Sequence, residues 1–198
     1  MLMNEHTDTA DQGRLLTLRG QRKYLDAREA RLLLAAASEA DRLERLFCQL
    51  LHYSGARISE ALAVTPEHID ASAQAVVLRT LKRRRVAYRC LPLPARLMRE
   101  LAALADERAA GAPLFPWSRS RGWRVITKLM EKAGISGPQA MPRGMRHHFG
   151  VHAIGSGVPE SLVQRFMGHA SRKSTSIYTY AMGAEERAVA ARMWKAYS

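Results

Sequence analysis

A mainly α-helical domain with one small antiparallel β-sheet is the fold class this sequence predicts, and three observations lead to it. Leu43, Leu46, Phe47, Leu50 and Leu51 repeat at the i, i+3, i+4, i+7 spacing that buries one side of a helix. Most of the chain after residue 94 has helical texture. Between these regions, residues 75–79 and 86–93 are β-branched or alternating and flank the basic run Lys82-Arg83-Arg84-Arg85, the pattern of a hairpin.

Taken in order, residues 1–20 show no sustained apolar period and are expected to be a flexible tail, with one domain over residues 21–198. A helical pattern begins at Asp26, an N-cap candidate, and carries Leu32, Leu33 and Leu34 in an alanine-rich run. The helix of the opening observation spans residues 39–53 and stops at Ser54-Gly55, glycine being the residue that tolerates a left-handed C-terminal turn. A short helix over residues 57–64 ends at Thr65-Pro66, because the residue before proline is disfavoured in helical geometry. The hairpin follows, closed by Pro92 and Pro94. Helices are then predicted over residues 95–109, 121–133, 146–154, 159–166 and 175–180, and Val189, Met193, Trp194 and Tyr197 share one side of a final segment, 185–197.

The 198 residues are one domain's worth, and 47% apolar content can bury a core. Thirty-one Lys plus Arg against 18 Asp plus Glu leave a net charge of +13 and a pI near 10.5. Such an excess points to a polyanionic partner, nucleic acid first, with a ribosome-associated or membrane-surface role as the alternatives. There is no run of eighteen apolar residues to span a bilayer, and the polar N-terminus does not have the layout of a secretory signal. Cys48 and Cys90 are isolated, with no Cys-x-x-Cys pair, and read as reduced core thiols of a cytoplasmic protein.

Four motifs carry the chemistry. The first is Tyr53-Ser54-Gly55-Ala56-Arg57-Ile58-Ser59-Glu60-Ala61-Leu62, and the second is Met141-Pro142-Arg143-Gly144-Met145-Arg146-His147-His148-Phe149. The third is Val163-Gln164-Arg165-Phe166-Met167-Gly168-His169 and the fourth Ser174-Thr175-Ser176-Ile177-Tyr178-Thr179-Tyr180. Arg146 lies twenty-three positions before His169, and Tyr178 nine after it. Cleaving a phosphodiester without a metal needs guanidinium groups on the non-bridging oxygens and a side-chain oxygen to attack phosphorus, and this set supplies both.

In order and spacing the motifs resemble those of the tyrosine recombinases, the phage-integrase family, over residues 22–180. The resemblance implies that family's catalytic-domain fold, with Arg57 and Arg146 as the two phosphate-clamping arginines and Glu60 orienting Arg57 from behind. It implies His169 as a hydrogen-bond donor to a phosphate oxygen, Tyr178 rather than Tyr180 as nucleophile, and a 3′-phosphotyrosyl product. Lys82, the one lysine of the hairpin and twenty-five residues past Arg57, matches the lysine that protonates the departing 5′ oxygen. A purely solvated basic turn that touches phosphates is the other reading of that tip, and it fits Arg83, Arg84 and Arg85 better.

Arg143 departs from the pattern, standing where the family usually has a histidine. A guanidinium can hold phosphate but effectively cannot accept a proton, so the base for the tyrosine hydroxyl is left unassigned. His147 is expected to pack and hydrogen-bond beside Arg146. His148 and His152 are i,i+4 neighbours without an intervening glutamate, so no metal and no cofactor is expected.

No separate DNA-clamping domain is expected before residue 21, which resembles the short, catalytic-domain-only recombinases. The expected partners are double-stranded DNA and further copies of the chain, a dimer per site and a tetramer in synapsis, with no membrane. The leading expectation is thus a site-specific DNA recombinase. The alternatives are an architectural or regulatory DNA-binding protein on the same fold, and a relaxing enzyme with the same chemistry.

Overall fold

The computed structural model describes residues 15–80, 87–169 and 173–180. The expected hairpin tip with Lys82, the segment 185–197 and residues 1–14 lie outside them.

Helix α1, Ala27–Ser38, opens on a reciprocal cap: Asp26 accepts the Glu29 N–H at 2.8 Å, and the Glu29 carboxylate accepts the Asp26 N–H at 3.0 Å. Helix α2, Arg42–Ser54, starts three residues later than its apolar period suggested, because the Asp41 carboxylate takes the N–H groups of Leu43 and Glu44. It ends at Gly55, left-handed at φ 58°. Helix α3, Ile58–Leu62, is a single short turn that begins immediately after Arg57.

A 3-10 turn, Pro66–His68, leads into a three-stranded antiparallel sheet of order β1-β2-β3. Strands β2, Ala75–Thr80, and β3, Ala87–Pro92, form the expected pair, in register from Ala75 opposite Pro92 to Thr80 opposite Ala87. Strand β1, Ile69–Asp70, adds to the free side of β2; two residues are too few to show a period in the sequence. Along β3 the inward positions are Arg89 and Leu91, so Cys90 faces out, contrary to the expectation that both cysteines are core residues; Cys48 is fully buried.

Helices α4, Ala95–Asp106, and α5, Arg119–Lys132, complete the first half of the core. Helix α6, Pro142–Gly155, starts a full turn earlier than the expected residue 146, since proline at the first helical position surrenders an N–H that has no partner there anyway. Helix α7, Glu160–Met167, closes at Gly168, left-handed at φ 62°. A short helix α8, Lys173–Ser176, runs on into a second 3-10 turn, Ile177–Tyr180.

Helix α2 packs against α1, α4 and α6, and α7 bridges α6 and β3. The main core centres on Phe47, edge-on to Phe115 at 5.1 Å and Trp117 at 5.4 Å, with Leu46, Leu50, Leu101 and Leu104 fully out of solvent. Each such side chain contributes about 1.5–3 kcal/mol by leaving water. A smaller cluster joins Leu15, Ala153, Val163, Met167 and Tyr178. Residues 15–20, placed by sequence in a flexible tail, therefore belong to the fold: Leu15 is buried, and Leu16 bridges Arg22 antiparallel around a tight turn. No helix among the described residues is long and apolar enough to cross a membrane.

Candidate active site

The site forms where the C-terminal ends of α2 and α7 meet the middle of α6. The last carbonyls of a helix have no partner within it and carry the negative end of its dipole, so they attract cations. Arg146, buried on α6, donates to the Gly55 carbonyl at the end of α2 and to the Met167 carbonyl at the end of α7, the latter at 2.7 Å. Arg89, reaching in from β3, takes the neighbouring Phe166 carbonyl through Nε at 2.7 Å and Thr80 Oγ1 at 2.9 Å. The same Gly168 turn that ends α7 projects His169, whose Nδ1 lies 2.9 Å from Thr175 Oγ1. A side chain at position 168 would meet the Arg89 guanidinium at 2.9 Å, so glycine there serves both the left-handed turn and the close approach.

Glu60 joins the two arginines not held by Arg146's carbonyls. Its carboxylate, fully buried, takes Arg89 at 2.6 Å on one oxygen and Arg57 at 2.8 Å on the other, and also accepts the Arg57 backbone N–H at 3.0 Å. Burial pushes this carboxyl up, but the Arg89 hydrogen bond and charge, with those of Arg57, overcome it and hold it below the usual carboxylate range. Arg57 keeps part of its side chain in solvent, and with Glu60 fixing its orientation the guanidinium is presented at the mouth of the site.

Tyr178 sits on the 3-10 turn after α8, only 2% exposed. Its ring lies against Gly150 of α6, where a Cβ would stand 2.6 Å from the ring carbons, and stacks on His169 with centroids 6.1 Å apart. Its hydroxyl lies 3.2 Å from His147 Nδ1. Burial raises the phenol to about 12, with Arg146 and Arg57 pulling the other way. Arg146 is lowered to about 10 by burial and by the Arg57 charge, so it stays cationic at neutral pH. Arg57, Arg146, His169 and Tyr178, singled out by sequence, thus meet at one place. Arg143 stands exposed at the start of α6, one turn before His147, and Lys82 is outside the described residues. The Arg89–Thr80 support was missed, although strand alternation puts Arg89 on the same inward face as Leu91.

The neighbouring histidines do not cluster as a metal site among the described residues. His148 Nδ1 lies 2.7 Å from the Leu25 carbonyl, and its ring stacks between His52 and His152. Burial lowers His52 and His147 to about 4 and His169 to about 3, the nearby cations adding to the effect at the last two. These imidazoles stay neutral in the fold but take protons in the unfolded chain below about pH 6.5. Their contribution is therefore complete above that pH and lost as the pH falls toward 4, about 2 kcal/mol for His147 alone at pH 5. The urea midpoint is expected to fall clearly between pH 7.5 and pH 5; an unchanged midpoint would contradict neutral burial.

The family model of the phage integrase family, described as such, matches residues 23–184, most of the chain. The chain belongs to the phage integrase family. Among its curated relatives, the tyrosine recombinase XerD of Mycobacterium tuberculosis is 34% identical over 149 residues, covering 68% of this chain and 47% of that protein. The tyrosine recombinase XerA of Pyrococcus furiosus is 29% identical over 167 residues, covering 79% of this chain and 57% of its own length. The chain thus spans about half the length of the curated relatives it matches. The crystal structure of XerA recombinase superposes with a TM-score of 0.72 at 25% identity, covering 86% of this chain and 62% of that one. The XerH site-specific recombinase bound to palindromic difH substrate, a post-cleavage complex, shares the fold at TM-score 0.73 and 18% identity, over 87% of this chain and 53% of that one. The expected fold class, mainly helical with a small antiparallel sheet, is the phage-integrase-family catalytic-domain fold.

Proposed function

We propose that this chain is a site-specific DNA recombinase that breaks and rejoins DNA through a 3′-phosphotyrosyl intermediate. One observation carries the reading: the Tyr178 hydroxyl lies within the field of two arginines, Arg57 and Arg146, that are fixed by carboxylate and helix-end carbonyls, with His169 stacked on its ring. A phosphodiester entering at the exposed side of Arg57 meets two cations for its non-bridging oxygens and His169 as a further donor. Charge developing on those oxygens in the transition state is stabilised by groups already in place, which is where such sites gain most of their rate. Tyr178 Oη forms the new bond to phosphorus as the bond to the 5′ oxygen breaks. Lys82 gives the leaving oxygen its proton in this scheme, and Arg143 adds a phosphate contact at the rim. The phosphotyrosyl ester keeps the bond energy, so a 5′ hydroxyl can reverse the step without ATP.

Double-stranded DNA is the partner this reading requires, and the +13 charge supports it. The same-fold XerH in complex with difH adds support, as does the Tn1549 transposon integrase in complex with circular intermediate DNA. Pairing of two cleaved sites calls for further copies of the chain, two per site and four in synapsis. The runner-up, a DNA-binding protein on this fold without strand transfer, is favoured by one feature, Arg143 in place of a proton-accepting side chain. Nicked duplexes made from the DNA flanking the coding sequence separate the two. The recombinase reading predicts a covalent protein–DNA band on a denaturing gel. Tight duplex binding with no such band would leave the architectural reading standing.

A further inference from the structure

Attack by a phenol requires that its proton go somewhere, and Arg143, where the family resemblance implies a histidine, is a guanidinium that cannot take one. Two imidazoles adjoin Tyr178. His169 has its Nδ1 committed to Thr175 Oγ1 at 2.9 Å and meets Tyr178 ring to ring, its plane within 16° of the phenol's. His147 instead directs Nδ1 at the hydroxyl itself, 3.2 Å away, from the turn of α6 directly after Arg146. From this geometry, and resting on the recombinase reading above, we infer that His147 Nδ1 accepts the phenolic proton of Tyr178 as its oxygen attacks phosphorus.

The step balances. The Tyr178 Oη–P bond forms, the P–O5′ bond breaks, the phenolic proton passes to His147, and a separate acid protonates the 5′ oxygen. Rejoining runs the same path backwards, with His147 returning the proton to the departing phenolate.

The surroundings suit the role. His147 is 7% exposed, so bulk water does not compete for the hydroxyl. The charged groups that reach it are Arg146 and Arg143 on α6 and Lys23 from the segment before α1, and burial together with these cations lowers it to about 4. With its one ring proton on Nε2, the neutral imidazole holds Nδ1 as an open acceptor beside a protonated phenol. Without DNA the transfer is strongly uphill, since Tyr178 stands at about 12, and the nucleophile stays quiet. A DNA phosphate set against Arg146 and Arg143 offsets the very cations that depress His147, strengthening the base when substrate is present. One histidine in this way replaces the acceptor that Arg143 cannot be and ties activation of the tyrosine to DNA binding.

The test is single-turnover cleavage of a nicked duplex whose scissile 5′ oxygen is replaced by sulfur, a leaving group that needs no acid. On this substrate wild-type cleavage should be flat between pH 7 and pH 9, because the acceptor is already neutral. His147→Gln keeps a hydrogen-bonding side chain but cannot take the proton. It should bind the duplex normally, cleave about 10²- to 10⁴-fold more slowly at pH 7, the range of general-base contributions, and gain roughly tenfold per pH unit as hydroxide takes over. A His147→Gln rate within about threefold of wild type with the same flat profile would overturn the assignment, as would a deficit that disappears with the sulfur substrate. If the variant does not fold, the wild-type profile still decides: a tenfold rise per pH unit in the wild type shows that no neutral base is in place. Absence of any wild-type adduct on either substrate overturns the recombinase reading itself, whereas an adduct indifferent to His147 overturns this inference alone.

Discussion

Arg146→Ala should lower single-turnover cleavage by about 10³-fold while duplex affinity changes by less than tenfold. In the proposed reaction this arginine supplies positive charge where the pentacoordinate phosphorus accumulates negative charge, and losing one preorganised donor of this kind costs about 10²–10³ in rate. Its burial adds a second effect. Without it the Gly55 and Met167 carbonyls lose their partner, at about 1–3 kcal/mol for an unsatisfied buried group. Arg146→Lys separates the two effects, for an ammonium restores charge but cannot fork between two helix ends. Stability should recover partly in that variant and cleavage much less. Equal cleavage by wild type and Arg146→Ala would remove this arginine from the reaction.

Arg89→Met is expected to be the most destabilising single change in the site region. It strips Glu60 of its closest partner and leaves a buried carboxylate with Arg57 alone, together with an unmatched Phe166 carbonyl. Breaking a buried pair in this way costs about 3–5 kcal/mol, roughly a 10 °C fall in thermal midpoint for a chain of this size. Because the loss is largely that of a stranded charge, Glu60→Leu in the same chain should restore much of the stability. Cleavage should stay low in the double variant, since Arg57 then has no carboxylate to orient it. Recovery of both stability and cleavage would show that Glu60 does not position Arg57.

Features fixed by local spacing are legible in the sequence. Asp26 three residues before Glu29, Gly55 after an amphipathic run and Gly168 before His169 each specify a cap within one turn of chain, and the fold uses each of them. Arg57 and His169 likewise enter the site because each follows a helix that a glycine closes, Gly55 and Gly168, whereas Arg146 comes from within α6. What was hidden depends on partners far apart in the chain. The Arg89 bond to Phe166 spans 77 residues and the His147 contact with Tyr178 spans 31, and no periodicity reports either. One clue was present: in β3 a charged Arg89 occupies the inward register that Leu91 shares, which signals a buried, paired cation. Leu15 was placed in a tail for the opposite reason, since a single apolar residue that docks against Tyr178's cluster has no repeat to announce it.

Covalent joining of Tyr178 to DNA is measured most directly by trapping the adduct and locating it. Wild type, Tyr178→Phe and Tyr180→Phe are incubated with the same nicked duplex, digested with protease, and the nucleotide-bearing peptide is sequenced by mass spectrometry. Removing only the hydroxyl of a residue whose ring packs on Gly150 and His169 leaves that packing intact, so binding should persist in Tyr178→Phe. An adduct is expected on Tyr178 in wild type and in Tyr180→Phe, and none in Tyr178→Phe. An adduct carried by Tyr180, or one that survives in Tyr178→Phe, would contradict it.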